Sequence, residues 1–250
     1  MRERTEMPEC IVVEDRGAVR IIRMNRPDKL NALNTELTQG LLDALNATDG
    51  DDAVRAVVLA GEGKGFCAGA DLSEFKDLTP DQQHRVLARA DLTCRLQSKL
   101  QEMKKPVVSA VQGAAVGGGA GLAIGCDMMV AGADLKFGYP ELKHDIVPAL
   151  VMTGLQRQLG RKAAFEMVSL GRLIGAEEAQ ALGLANQVVR TDTVIDTALE
   201  IANQWAKANP MAMAAAKALF YRVADLPFDA AMAAGRDVNA LMRGFRRTEK

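Results

Sequence analysis

The 250-residue chain has almost no imbalance of charge: 31 Lys and Arg stand against 32 Asp and Glu, for a net charge of -1. A chain this neutral lacks the long-range field that draws nucleic acid or an anionic membrane. Neither is expected as a partner, and an anionic ligand must be held by a few local cations and backbone N–H groups. Histidine is scarce, with two residues, and the four cysteines (Cys10, Cys67, Cys94, Cys126) form no C-x-x-C pair. That spacing excludes a structural zinc site and leaves buried, reduced thiols as the expectation, so no metal is expected. The N-terminal MRERTEMPEC has no apolar stretch of the kind a secretion signal needs, and a cytoplasmic protein is expected. No Pro-, Gly- or Ser-rich linker and no fixed-period repeat divides the chain.

One long apolar run is present. Nothing from Pro106 to Cys126 carries a charge. The run only just reaches the roughly 20 residues of a membrane span. Gly117, Gly118, Gly119, Gly121 and Gly125 interrupt it, with Ser109 and Gln112 upstream, so a span is not expected. A phosphate-gripping G-x-x-x-x-G-K-[ST] loop is missing its lysine and hydroxyl. A dinucleotide G-x-G-x-x-G fails because the third position is Leu122. What remains is a strand, a tight glycine turn and a buried helix from about Gly119. Two explanations of the glycines stay open. They let a ligand approach the backbone, where the first N–H groups of the helix are free donors, or they let the helix pack tightly on a strand.

The rest of the chain reads as strands alternating with helices and then as helices alone, an α/β order. IVVED and AVRIIRM flank Gly17 as a hairpin. Asn34 stands where it would cap a helix with Leu37, Leu41, Leu42 and Leu45 on one face. Thr79-Pro80-Asp81-Gln82 reads as a capping box opening a helix that runs to about Met103. RAVVLAG, PVVSAVQG and DMMVAG read as strands; after Gly160 the pattern is mostly helical, with a final helix from near Ala212. The expected division is a core over residues 1–190 and a helical region over 191–250.

A second small-residue turn, FCAGADL, also follows a strand. Two such turns can aim backbone donors at one carbonyl oxygen. The segments NRPDKLNAL, GFCAGADL, GAAVGGGAGLAIGCD, FGYPEL and SLGRLIGAEEAQALGLANQVV, in that order, resemble the crotonase (enoyl-CoA hydratase/isomerase) superfamily across nearly the whole chain. The resemblance implies a spiral of ββα units with a C-terminal helical region that builds trimers, often paired into hexamers. It implies an acyl-CoA thioester as substrate, coenzyme A arriving as part of that substrate, and no separate cofactor.

The same resemblance assigns residues. Ala70 and Gly118 match the two backbone donors that hold the thioester oxygen, and Glu141 matches the catalytic glutamate of the YPEL motif. Arg26 and Lys29 match positions that meet phosphate oxygens, and Leu30 and Ala32 match backbone that meets the adenine. Ala68, Asp71, Leu72 and Gly117 would line the same ligand. The chain departs from the pattern at Gly121, where hydratases place a second glutamate, and at Ala149, where dienoyl-CoA isomerases and 3-hydroxyisobutyryl-CoA hydrolases keep an aspartate. His144 and Asp145, close after Glu141, are candidate proton-transfer groups, with solvated loop residues as the plainer reading. The chain ends at Lys250, about where relatives carry a further segment that can reach a neighbour's adenine pocket, and whether that contact forms here is left open. One carboxylate suits moving a double bond from the 3- to the 2-position. Hydration of a 2-enoyl-CoA is the close alternative and thioester hydrolysis the third. A non-catalytic acyl-CoA- or RNA-binding protein is the rival outside enzymes. In the C-terminal region Trp205, Leu219, Phe220 and Phe228 are the apolar residues expected to face other subunits.

Overall fold

The computed structural model describes residues 8–77 and 79–242. Residues 1–7, most of MRERTEMPEC, and residues 243–250 lie outside the described residues. The chain opens with the expected hairpin. β1 (Ile11–Arg16) and β2 (Val19–Met24) pair antiparallel across Gly17, whose φ of +63° suits the tight turn. Next comes α1 (Thr35–Asp49), which Asn34 caps by accepting from the Leu37 N–H at 2.9 Å. Then follow β3 (Ala56–Gly61), α2 (Gln83–Glu102), β4 (Val107–Val111), β5 (Ala114–Val116), α3 (Gly118–Gly125), β6 (Met128–Gly132) and β7 (Lys136–Gly138). The C-terminal part holds α4 (Val151–Leu159), α5 (Arg161–Leu170), β8 (Leu173–Ile174), α6 (Ala176–Ala181), β9 (Gln187–Val189), α7 (Val194–Ala206), α8 (Pro210–Val223) and α9 (Phe228–Leu241).

Six strands form one sheet in the order β1-β2-β3-β4-β6-β9, parallel from β2 onward. A parallel sheet is covered on both faces, and β3 shows it: all six of its residues are buried. Val57 and Leu59 face the larger core with α1, α2 and α3, while Ala56, Val58 and Ala60 face α7. A small second sheet, β5-β7-β8, stands beside α3. It sets the Gly117 turn on one side and the segment that carries Glu141 on the other.

Several expectations change. The first turn of α2 is not a capping box. Residues 80–82 close as a 3₁₀ turn in which the Gln82 N–H donates to the Thr79 carbonyl at 2.9 Å, so the Thr79 side chain caps nothing. The final helix is two helices: Asn209 caps α8 at Pro210, and the chain turns again before α9. The helix that follows residue 190, α7, packs on the large sheet, and Trp205 packs against the same core. Cys94 is exposed, unlike the other three thiols. A buried Lys217 pins α8 to the core. Its ammonium meets Asp127 at 2.8 Å and the Leu100 and Lys105 carbonyls at 2.7 and 3.0 Å. Among the described residues no helix is long and apolar enough to cross a membrane.

Candidate active site

The glycine turn answers to both explanations, at different residues. A Cβ on Gly119 would lie 2.2 Å from the Cys67 carbonyl oxygen, so this glycine serves close packing. Gly117, at φ +54°, serves the site: a Cβ there would lie 2.6 Å from Oε1 of Glu141. The backbone turn and the carboxylate are therefore in direct apposition.

Gly117 and Glu141 share a cavity of about 420 Å³ with Ala68, Gly69, Ala70, Leu72 and Gly118. The FCAGADL loop reaches it because Leu33 and Ala70 form an isolated parallel bridge. In it the Leu33 N–H donates to Gly69 and the Asp71 N–H donates to Leu33. That bridge leaves the intervening Ala70 N–H out of the ladder. Gly118 is the first residue of α3, where the helix offers no partner for an N–H. Neither the Ala70 nor the Gly118 N–H meets an acceptor among the described residues. Two unused donors thus line the same cavity as one carboxylate.

Glu141 begins a 3₁₀ turn, and Oε2 is buried without a hydrogen-bond partner among the described residues. Burial raises its pKa above the ordinary glutamate range; its own backbone N–H and His144 oppose that shift without cancelling it. A carboxylate left without donors in an apolar cavity is a stronger base than one in water. His144 also lines the cavity and is exposed, as is Ala149, whereas Asp145 is exposed outside the lining in a left-handed conformation.

The NRPDKLNAL loop is braced from within. Arg26 and Asp71, read as ligand contacts, bind each other at 2.9 Å, and Arg26 also donates to the Ala32 carbonyl. A guanidinium and a carboxylate this close satisfy each other, and the pair braces the loop. Asn31, buried at φ +57°, completes the brace by donating to the Glu62 and Gly65 carbonyls at 3.0 and 2.8 Å. Lys29 and Leu30 are exposed, and neither they nor Ala32 line the cavity.

Gln97 of α2 was not legible as a site residue. Its amide donates to the Gly118 carbonyl at 3.0 Å. Its oxygen lies 2.8 Å from where a Cβ of residue 121 would stand. The space a second acid would need at Gly121 is taken by Gln97 and by Val151, whose Cγ1 is 3.0 Å from the same point. Arg89 and Thr93, also on α2, line the cavity. Among the described residues no three His, Cys, Asp or Glu side chains are grouped to hold a metal.

The enoyl-CoA hydratase/isomerase family model matches residues 14–243. The chain is 34% identical over 235 residues to the 2,3-dehydroadipyl-CoA hydratase of Escherichia coli strain K12, covering 93% of this chain and 89% of that one. It is 34% identical over 225 residues to the short-chain-enoyl-CoA hydratase of Clostridium acetobutylicum, covering 89% and 85%. The crystal structure of an enoyl-CoA hydratase from Mycobacterium smegmatis superposes with a TM-score of 0.88 at 31% identity, over 93% of this chain and 90% of that one. The fold is the crotonase fold, and the chain belongs to the enoyl-CoA hydratase/isomerase family.

Proposed function

We propose that the protein shifts the double bond of a 3-enoyl-CoA to the 2-position, with Glu141 as the only carboxylate that moves a proton. The observation that carries this reading is the occupation of the space beside Gly121 by Gln97, which leaves one carboxylate in the cavity. The Ala70 and Gly118 N–H groups donate to the thioester oxygen. Glu141 takes a proton from the α-carbon, the electron pair moves through the carbonyl to that oxygen as a dienolate, and the two donors stabilise the charge where it forms. Glu141 then returns the proton at the γ-carbon, and the double bond comes into conjugation with the thioester. Atoms and electrons balance with no further group, so no separate cofactor is invoked. Lys29 and Leu30, exposed on the braced loop, contact coenzyme A.

Hydration of a 2-enoyl-CoA is the second reading, favoured by the names of the relatives, which are hydratases. There Glu141 would orient and deprotonate a water instead. A panel of 2-enoyl and 3-enoyl thioesters, assayed with the purified protein, separates the two. Conversion of the 3-enoyl members to conjugated products supports isomerisation; water addition to the 2-enoyl members alone supports hydration. We also propose assembly as a trimer or a dimer of trimers through α8 and α9.

A further inference from the structure

We propose that Arg89 makes the cavity a receptor for acyl chains that end in a carboxylate. The proposal rests on the acyl-CoA reading above and adds the class of acyl group.

Helix α2 places Val86, Arg89, Ala90 and Thr93 on the cavity, the spacing of one helical face. Most of the remaining wall is aliphatic, including Leu33, Leu72, Val116 and Val147. Arg89 is a cation set into that wall, with a side chain only 11% exposed. Its charge is poorly met. One Nη donates to the Leu33 carbonyl at 2.9 Å and the other to the Thr93 hydroxyl, both neutral acceptors. Nε is buried and makes no hydrogen bond among the described residues. The carboxylate of Glu74 stands 3.7 Å from Nε, beyond hydrogen-bond reach, and is itself held by the Thr35 N–H at 2.9 Å.

A guanidinium has five N–H donors in a rigid fork, and among the described residues Arg89 uses two of them. Pinning the Leu33 carbonyl needs a donor but not a charge. A buried cation whose ion-pair partner stands 3.7 Å away and is shared with the Thr35 N–H is only partly neutralised, and a hydrocarbon tail would desolvate it further, at a cost. A carboxylate at the far end of the acyl chain removes that cost, because it accepts charge-assisted hydrogen bonds from the fork. Glu141 is the acid of the same cavity, so a ligand carboxylate is drawn to the Arg89 wall and kept off the reacting end.

The test uses saturated thioesters, which can be neither isomerised nor hydrated, so it does not depend on which reaction the enzyme performs. Calorimetry measures the binding of succinyl-, glutaryl- and adipyl-CoA against butyryl-, pentanoyl- and hexanoyl-CoA. The wild type should bind the carboxylate-tailed member of at least one matched pair about tenfold tighter or more. R89M should abolish that preference. E74Q, which removes the competing charge while keeping an acceptor for Thr35, should widen it. Equal binding of every pair by the wild type would overturn the proposal and leave the acyl-CoA reading standing. So would an R89M protein, folded by circular dichroism, that weakens both members of a pair alike, since that is the mark of a pin for Leu33. Binding of none of the thioesters would overturn both readings. If R89M fails to fold, the wild-type comparison and E74Q still decide: a preference that E74Q widens supports the proposal, and one that it narrows contradicts it.

Discussion

Gln97 donates to the Gly118 carbonyl at 3.0 Å while its oxygen occupies the space a side chain at position 121 would need. One residue of α2 therefore braces the helix that carries a proposed donor and closes the place of a second acid. Installing that acid by G121E alone forces the new side chain against Gln97 and Val151. The expected result is little gain in crotonyl-CoA hydration from G121E, and a gain of about tenfold or more from Q97A/G121E, a modest share of what general acid–base catalysis supplies. Equal hydration rates in the single and double variants would show that Gln97 does not block the position.

The proposed donor at Gly118 can be removed without removing the helix. Proline is tolerated at the first position of a helix, where its missing N–H costs no intrahelical bond. G118P should lose about 10²–10³ in kcat, the usual cost of one oxyanion donor. G118A is the control: it keeps the N–H, and its Cβ meets Cδ1 at the end of the Leu33 side chain at 3.0 Å. Stopped-flow turnover with folding checked by circular dichroism reads both. A folded G118P with full turnover removes Gly118 from the mechanism.

Assembly makes its own prediction. Phe220 and Phe228 are 70% and 77% exposed in the single chain, with Met211, Met232 and Leu241 also exposed on α8 and α9. A patch of this kind is usually covered by a partner. Multi-angle light scattering at micromolar concentration should give the mass of a trimer or a hexamer. F220D/F228D should reduce it, whereas a monomeric wild type would contradict the assignment.

Glu141 also sets a pH dependence. Burial raises its pKa, so the carboxylate gains its proton at a higher pH than an ordinary glutamate. As a base it must be ionised, and kcat/KM should fall on the acid side through a limb above the ordinary glutamate range. The sign for stability is the opposite of the usual acid case. Between the two pKa values the folded state binds more protons than the unfolded state. This contribution is therefore fully present below the unfolded pKa and is lost as pH rises through the folded one. E141Q, neutral at every pH, should melt no lower than the wild type at neutral pH. A wild-type acid limb at the ordinary glutamate value would contradict the buried environment.

Local signals account for much of what was legible in the sequence. The Gly17 hairpin, the Asn34 cap and the two small-residue turns each depend on neighbours within a few residues. So did the cavity positions Ala70, Gly118 and Glu141, through the motifs around them. What was not legible depends on register between distant elements. Nothing local in QHRVLARADLTCRLQSKLQE says that Arg89 turns toward Leu33, that Thr93 lines the cavity or that Gln97 reaches Gly118. Arg26 read as a free cation because its partner Asp71 is 45 positions away. Strands as short as β5, β7 and β8 carry too few residues for a period-two pattern. Nothing local in the alanine-rich α8 marks Lys217 as the buried partner of Asp127, 90 positions away.

The most direct test of the account is the turnover of a 3-enoyl-CoA by wild type and E141Q, followed at the absorbance of the conjugated thioester, with substrate binding measured in parallel. Glu141→Gln keeps the size of the side chain and removes its basicity. If Glu141 is the only proton-moving carboxylate, the wild type conjugates the double bond and E141Q loses at least about 10² in turnover while still binding the thioester. An E141Q enzyme that keeps most of its activity would contradict the claim. So would a wild type that hydrates crotonyl-CoA briskly and leaves 3-enoyl thioesters untouched.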